Sequence, residues 1–143
     1  MTAESKMRKV SKNPYAKLRK KAWDTFSYWI RHKRDKGRCY TCGKKNEPKK
    51  MNAGHYEHIN CLDFDERNIH CQCVYCNLRL HGNRNIYALH LEKQYGHGIL
   101  QELDRLKWKN RYFKVSELNE IILKYGDNKR KQKKNSLSRD NKV

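Results

Sequence analysis

No stretch of this sequence is apolar for long enough to cross a membrane, because charged residues interrupt it throughout. The opening residues MTAESKMRKVSKN also lack the apolar core of a secretory signal. We therefore expect a cytoplasmic protein without a membrane partner.

Acidic residues are scarce, with 15 Asp and Glu against 34 Lys and Arg and a net charge of +19. Such an excess opposes compaction and favours a polyanionic partner. Nucleic acid is the expected partner; an anionic membrane surface is the alternative, and a small-molecule substrate is not expected. Apolar residues make up only 36% of the 143 residues, so a single small domain would need additional stabilisation, such as a bound metal.

The six cysteines should not form disulfides in a reducing compartment. Four of them form two Cys-x-x-Cys pairs, Cys39-Tyr-Thr-Cys42 and Cys73-Val-Tyr-Cys76. Two such pairs complete a tetrahedron around zinc, so the spacing predicts structural zinc at Cys39, Cys42, Cys73 and Cys76, with free or redox thiols as the alternative. Gly43 is expected at positive φ in the first turn. Cys61 and Cys71 are expected to pack rather than to bind metal.

The periodicity predicts an α+β fold with a basic arm at 1–14, one domain at 15–126 and a basic disordered tail at 127–143. Strands are expected at 51–56 and 68–72, and helices at 16–36, 75–82, 85–95, 99–108 and 116–125, the last capped by Ser116. The acidic loop 57–67 is expected to be solvated. The Trp and Tyr residues, including Trp108, are expected in the core rather than as base-stacking platforms.

We call the turns at Cys39–Cys42 and Cys73–Cys76 the first and second knuckle. Four polar residues around the second knuckle could carry phosphodiester hydrolysis. His55 is the candidate general base, because a neutral imidazole can take a proton from water. Asn77 and His81, at i and i+4 on one helical face, are candidate ligands for a divalent metal such as Mg²⁺. Asn68 is expected to order the loop between the strands.

The order of these residues resembles the zinc-bearing HNH nucleases, and the fuller pattern resembles the phage NinG/Rap recombination nucleases over roughly residues 23–100. The matching stretches are Phe26-Ser27-x-x-Ile30-Arg31, Cys39-Tyr-Thr-Cys42-Gly43, Ala53-Gly54-His55-Tyr56, Asn68-Ile69-His70-Cys71-Gln72-Cys73-x-x-Cys76-Asn77 and Gly82-Asn83 followed by Tyr87. The combined pattern is specific, although no single piece is.

The resemblance implies a zinc-pinned ββα-metal (HNH) core and an endodeoxyribonuclease that uses Mg²⁺ or Mn²⁺ on branched recombination intermediates, including Holliday junctions. Two positions depart from the plain motif. Asn77 stands where HNH proteins have His, and Gly54 stands where many have an acid or His that binds the metal. The catalytic metal would then have few ligands, or would also use His58, Asp63 or Asp65.

Basic residues in the first knuckle and the tail are expected to contact DNA phosphates, which supply affinity without sequence information. They are Lys44, Lys45, Lys49, Lys50, Lys129, Arg130, Lys131, Lys133 and Lys134. A homodimer is expected, because a two-fold junction needs two active sites, and the helices after Asn85 could form its interface. The alternatives are a generic HNH enzyme that nicks or cuts duplex DNA, a non-catalytic zinc-knuckle DNA-binding protein, and an RNA-binding zinc protein.

Overall fold

The structure is a computed structural model that describes residues 13–109 and 111–126. The predicted arm and tail, with Lys129, Arg130, Lys131, Lys133 and Lys134, lie outside the described residues, apart from the end of the arm. The described part combines helices with one two-stranded antiparallel sheet, which confirms the α+β class. None of its helices is both long and apolar enough to span a membrane.

The elements follow one another in the order helix, hairpin and helices. They are α1 (Pro14–Tyr28), a π-helical extension (Trp29–Arg34), a 3-10 turn (Pro48–Lys50), β1 (Asn52–His55), a 3-10 turn (Asn60–Leu62), β2 (Ile69–Gln72), a π-helical turn (Tyr75–Arg79), α2 (Arg84–Tyr95), α3 (Ile99–Lys107) and α4 (115–126). The predicted strands and most of the predicted helices are confirmed to within about two residues.

The first helix forms where its sequence supplies both a cap and an apolar stripe. The Asn13 side chain accepts a hydrogen bond from the backbone N–H of Ala16 at 2.7 Å, and Pro14 occupies the first turn, where its missing N–H costs nothing. Ala22, Phe26 and Ile30 recur at helical spacing, and all three are fully buried.

The hairpin pairs Gly54 with His70 and His55 with Ile69. Because side chains alternate across a strand, Ile69 and Cys71 pack towards α1 with Phe26 and Ile30. His70 lies on the opposite side, where its ring contacts Tyr87 of α2. The sheet therefore lies between α1 and α2 and links their two apolar clusters.

A further apolar cluster joins the two ends of the described chain. Ala22 of α1 packs with Phe113 and with Leu118 of α4. Leu91 of α2 and Leu103 of α3 are fully buried in the cluster beyond the hairpin. Folding thus depends on several small cores joined by the hairpin, as expected for a chain with few apolar residues.

Four expectations from the sequence are wrong. The predicted helix 75–82 is a π-helical turn that ends at Arg79, because the chain then passes through positive φ at His81, Gly82 and Asn83. Trp108 is not a core residue, since 77% of it is exposed. Ser116 does not cap the last helix, which begins one residue earlier and whose first turn is closed by Glu117 accepting from the backbone N–H of Lys114. The acidic loop is not simply solvated, because its carboxylates have ordered partners.

Candidate metal centre and catalytic site

The four cysteines of the two Cys-x-x-Cys pairs converge although thirty residues separate the pairs. All of their sulfur atoms lie within 4.8 Å of one another, and the sulfurs of Cys42 and Cys73 are 3.8 Å apart. Sulfurs bound tetrahedrally at about 2.3 Å from zinc would be separated by about 3.8 Å. The residues therefore fit a zinc ion, and Gly43 adopts the positive φ of +77° that its turn was predicted to need.

The local environment lowers the pKa of only one of the four thiols, that of Cys39, whereas burial raises the pKa of Cys42, Cys73 and Cys76. Burial alone would raise the pKa of Cys39, but hydrogen bonds from the backbone of Cys42 and from Thr41 outweigh it and lower the pKa to about 6. Cys71 lies outside the cluster, and burial raises its pKa to about 12. The Cys61 thiol donates to the carbonyl of Leu106 at 3.5 Å, so the two remaining cysteines pack as predicted.

His55 stands at the end of β1 with three neighbours around its ring. Its Nε2 is 2.9 Å from Oδ1 of Asp63. The rings of Trp23 and His58 stack on it, with centroids 5.1 Å and 5.3 Å away. Since an ionised carboxylate only accepts hydrogen bonds, Nε2 carries the hydrogen towards Asp63, and Nδ1 retains a lone pair in the neutral ring. The ring is thus oriented with a basic nitrogen available.

Asp63 is ionised and fixed between two donors. Its Oδ2 accepts from Arg19 at 2.7 Å while its Oδ1 faces His55. Burial would raise its pKa, but the hydrogen bonds from His55 and Arg19 outweigh this and hold the pKa below its ordinary value. The neighbouring His58 has a lowered pKa, first because of burial and then because of the charge of His55. His58 therefore favours the neutral form beside the candidate base.

Asn68 orders the loop that delivers Asp63. It is fully buried, accepts from the backbone N–H of Glu57 at 2.8 Å, and donates to the carbonyls of Glu57 and Leu62 at 3.0 Å and 3.2 Å. A single side chain therefore closes the loop at both ends. This geometry matches the loop-ordering role expected from the sequence.

The candidate metal ligands Asn77 and His81 do not share a helical face, because His81 lies in the turn beyond the π-helical segment. Gly82 nevertheless brings their backbones together. Its N–H donates to the carbonyl of Asn77 at 3.1 Å, and a Cβ built on Gly82 would lie 3.8 Å from the carbonyl oxygen of His55. The turn after the second knuckle therefore lies against the strand end that carries His55.

Gln72 connects this turn to the first knuckle. Its Nε2 donates to the Gly82 carbonyl at 2.8 Å and to the Thr41 hydroxyl at 3.2 Å. A Cβ on Gly54 would lie only 1.9 Å from Oε1 of Gln72. The fully buried amide thus needs a glycine at position 54, which explains why an acidic ligand does not fit there.

The carboxylates after β1 bind neighbouring groups instead of lying free in water. Asp65 pairs with Arg67 at 2.8 Å, and Glu57 pairs with Arg84 at 2.6 Å. Glu66 accepts from the hydroxyl of Tyr125 at 2.6 Å. Among residues 13–109 and 111–126, the four cysteines are the one group of at least three Cys, His, Asp or Glu ligands.

The predicted phosphate-binding lysines of the first knuckle are all exposed. Two of them lie near Glu47, with the Lys49 ammonium at 3.5 Å and the Lys50 ammonium at 3.9 Å from its carboxylate. Lys44 and Lys45 complete this surface. Their exposure leaves them accessible to a polyanion.

Sequence patterns alone did not connect Arg19, Trp23 and Asp63 to His55. Asp63 was predicted only as an alternative metal ligand, and the other two residues belong to a helix whose visible signal is its apolar stripe. These three residues lie 36, 32 and 8 positions from His55 along the chain, and no helical or strand spacing relates them to it. The neighbours meet only when α1 packs against the hairpin.

Comparison with known proteins identifies the relationship of the whole chain. The family model described as "Bacteriophage Lambda NinG protein" matches residues 2–135. The chain is similar to "Protein ninG" of Escherichia phage 933W, with 35% identity over 136 residues, covering 85% of this chain and 66% of the relative. It is also similar to "Protein ninG" of Escherichia phage lambda, with 32% identity, covering 85% of this chain and 65% of the relative.

The match to "Protein ninG" of Salmonella phage P22 is shorter, at 35% identity over 102 residues, covering 62% of this chain and 50% of the relative. This chain therefore spans between half and two thirds of the length of these relatives. No solved structure matches it. Because the family model covers nearly the entire sequence, the chain belongs to the phage NinG family.

Proposed function

We propose that this protein is a metal-dependent DNA endonuclease of the HNH type that cuts branched DNA such as Holliday junctions. The observation that carries the proposal is the geometry of His55. Its ring is oriented by Asp63 at 2.9 Å, at the end of a hairpin held by a four-cysteine cluster. This arrangement supplies a positioned general base beside a cationic protein surface.

The residues of the chain divide the chemistry among them. Nδ1 of His55 would accept the proton of the attacking water, and the ionised Asp63 would stabilise the imidazolium that forms. Arg19 keeps that carboxylate in place through its 2.7 Å ion pair. Trp23 covers one side of the ring and limits its rotation.

Asn77 and His81 are the proposed ligands of a catalytic Mg²⁺ or Mn²⁺. An amide oxygen suits either ion, and an imidazole is better suited to Mn²⁺. When bound, the ion would stabilise negative charge on the scissile phosphate and on the leaving oxygen. Two protein ligands are few, but Mg²⁺ usually keeps several waters and also binds substrate phosphates.

The substrate is proposed from charge and family resemblance together. A net charge of +19 suits phosphate contacts, which do not read sequence. Such contacts are sufficient for an enzyme that recognises the shape of a junction. The exposed lysines of the first knuckle, together with the basic residues after 128, are the proposed phosphate-binding groups.

The test compares cleavage of a labelled four-way junction with that of a linear duplex of the same arm sequence. The zinc-loaded proteins are wild type, His55→Ala, and His97→Ala as the matched control, since His97 is exposed outside the site. We expect junction cutting that needs Mg²⁺ or Mn²⁺ and that falls by about 10²-fold or more in His55→Ala. His97→Ala should cut like wild type.

Each alternative outcome contradicts a defined part of the proposal. Equal cutting of junction and duplex would leave a generic HNH nuclease. Equal cutting by wild type and His55→Ala would refute the assigned base. Tight binding without cutting under either metal would indicate a non-catalytic zinc module.

We further propose that two copies act together on a junction, because a two-fold substrate presents two equivalent scissile bonds. Ile86 and Leu89 lie three residues apart on α2, and both are exposed, as expected for a surface that pairs with a second copy. Sedimentation equilibrium should show a dimer for wild type and a monomer for Leu89→Lys. A monomeric wild type would refute this.

A further inference from the structure

A groove with an unusual lining runs beside the candidate site. It lies between the start of α1, residues 59–61 and the segment that follows α3, and its volume is about 650 Å³. Four aromatic residues line it, namely Tyr15, Trp108, Tyr112 and Phe113, as do four cationic residues, namely Arg19, Lys107, Lys109 and Arg111. We call it the aromatic groove.

Two aromatic side chains of this groove, Trp108 and Tyr112, face solvent, and the Tyr112 ring is held in place by a neighbouring ring. Trp108 is 77% exposed and Tyr112 is 74% exposed. Tyr112 stacks on Tyr15 with centroids 5.0 Å apart and an angle of 11°, and the Tyr15 hydroxyl donates to the Phe113 carbonyl at 2.6 Å. Leaving large rings in water is unfavourable, so exposed and pre-positioned rings indicate a ligand surface.

The charge of the groove indicates what kind of ligand fits. The described residues that line it include four cations and no carboxylate. Some of these cations have acidic neighbours just outside, such as Lys107 with Asp104 at 2.9 Å. Flat rings interleaved with cations are the combination that binds single-stranded nucleic acid, since bases stack on the rings while phosphates pair with the cations.

The groove is continuous with the candidate catalytic site. Arg19 lines the groove and also donates to Asp63 at 2.7 Å, while the other carboxylate oxygen of Asp63 faces His55 at 2.9 Å. A strand bound in the groove would therefore lie two side chains away from the proposed base. An intact duplex could not use these rings, because its bases already stack on one another.

We propose that the aromatic groove binds a short unpaired segment of DNA, with its bases stacked on Trp108 and Tyr112. The inference rests on the DNA-binding part of the proposed function and goes beyond it by naming unpaired nucleotides as the recognised feature. A branched substrate supplies such nucleotides when the base pairs at its branch point open. The groove thus selects for the branch and not for the sequence of its arms.

The test measures binding and not cutting. Anisotropy of a labelled oligothymidylate of about 10 nucleotides is recorded without divalent catalytic metal, for full-length, zinc-loaded protein. The variants are Trp108→Ala, Tyr112→Ala and the conservative Trp108→Phe. Leu123→Ala serves as the matched surface control, since Leu123 is 56% exposed on α4 and does not line the groove.

We expect each alanine variant to bind oligothymidylate about 5- to 150-fold more weakly, which corresponds to the stacking of one base. Trp108→Phe and Leu123→Ala should stay within a few-fold of wild type, and affinity for a linear duplex should change little in all variants. Unchanged affinity in both alanine variants, or equal losses in Trp108→Phe and Trp108→Ala, would overturn the proposal. Stronger binding of oligouridylate than of oligothymidylate would overturn the choice of DNA.

Failure of this proposal can be distinguished from failure of the nuclease assignment. Oligothymidylate binding that depends on Trp108, in a protein that cuts no DNA, would support the groove and refute the activity. Junction cutting by a protein whose Trp108→Ala variant binds oligothymidylate like wild type would support the activity and refute the groove.

Discussion

His70 shows how one buried side chain connects a strand to a helix. Its Nδ1 lies 3.1 Å from the Tyr87 hydroxyl, which itself donates to the Gly54 carbonyl at 2.9 Å. Its ring stacks on Tyr40 with centroids 3.8 Å apart. Burial, followed by the charge of Arg34, lowers the pKa of His70 to about 2. The folded protein therefore keeps this imidazole neutral at any ordinary pH.

This neutral imidazole predicts a loss of stability in acid. Between pH about 6.5, the pKa of an unfolded His, and pH about 2, the unfolded chain binds a proton that the folded chain does not bind. Stability therefore falls as the pH falls through this window, by about 1.4 kcal/mol per pH unit from this residue. In urea unfolding at pH about 6 and about 5, His70→Gln should lose much of that slope.

Thiolates of the cysteine cluster also take up protons in acid, so the comparison needs a control with the same zinc content. His97→Gln changes an exposed imidazole and should keep the wild-type slope. Equal slopes for wild type and His70→Gln would show that His70 is not held neutral in the folded protein.

At the scale of single residues, the sequence was enough to predict the four-cysteine site but not the neighbours of His55. The zinc ligands were predictable, because a Cys-x-x-Cys pair is a local pattern whose turn places both sulfurs on one metal. The neighbours of His55 were not, because Arg19 and Trp23 lie on a helix whose visible signal is its apolar stripe. Which of its other side chains meets the hairpin depends on tertiary packing.

At the scale of elements, the hairpin and the turn that follows the second knuckle pack against each other, since Gln72 donates to the Gly82 carbonyl. Both strands were predictable, since the stretches 51–56 and 68–72 lie directly on either side of the acidic loop 57–67. The segment after Cys76 was not, because Asn77 and His81 have helical spacing that the chain does not use. The N–H of Gly82 bonds both the Cys76 carbonyl and the Asn77 carbonyl, which ends the helical geometry before His81.

Gly54→Ala is expected to disturb this junction of elements. The new Cβ would lie 1.9 Å from Oε1 of Gln72, and two hydrogen bonds hold that buried amide against the turn. Relief of the clash must break a bond or shift the strand, so we expect a loss of about 1–3 kcal/mol in the free energy of unfolding. Urea unfolding of zinc-loaded protein measures it.

Gly98→Ala is the matched control for this substitution. Gly98 precedes α3 with an ordinary φ of −81°, and a Cβ there would meet open space. Its replacement should leave stability unchanged or raise it by about 0.4–1 kcal/mol. Equal behaviour of the two alanine variants would contradict the steric account of Gly54.

At the scale of the whole molecule, the four-cysteine site lies at the edge of one of the small apolar clusters. Cys39, Cys73 and Cys76 belong to the cluster that joins α1 to the hairpin, and the sulfur of the exposed Cys42 lies beside theirs. Zinc supplies folding energy to such a small core, and the chain has few other apolar residues to replace it. Cys39→Ser should therefore lose about one zinc per chain and unfold at a lower temperature, measured by metal analysis and thermal denaturation.

Cys61→Ser is the control that separates metal binding from the general loss of a thiol. Cys61 lies outside the cluster and donates to the Leu106 carbonyl, which a hydroxyl can also do. This variant should keep its zinc. A Cys39→Ser protein with full zinc content and wild-type stability would refute the four-cysteine site.

We expect charge to determine how the whole molecule binds the proposed DNA substrate. Residues 129–143 carry seven basic residues and one acidic residue, so their removal lowers the net charge from +19 to +13. For every phosphate that the truncated protein no longer neutralises, the slope of log K against log salt should become less negative by about 0.9. We therefore expect weaker duplex binding and a flatter salt dependence in the truncated protein.

A 143-residue variant with these seven basic residues replaced by Gln should reproduce both effects, because charge and not length is responsible. A wild-type slope in either protein would contradict this and would place the phosphate-binding groups on the exposed lysines of the first knuckle.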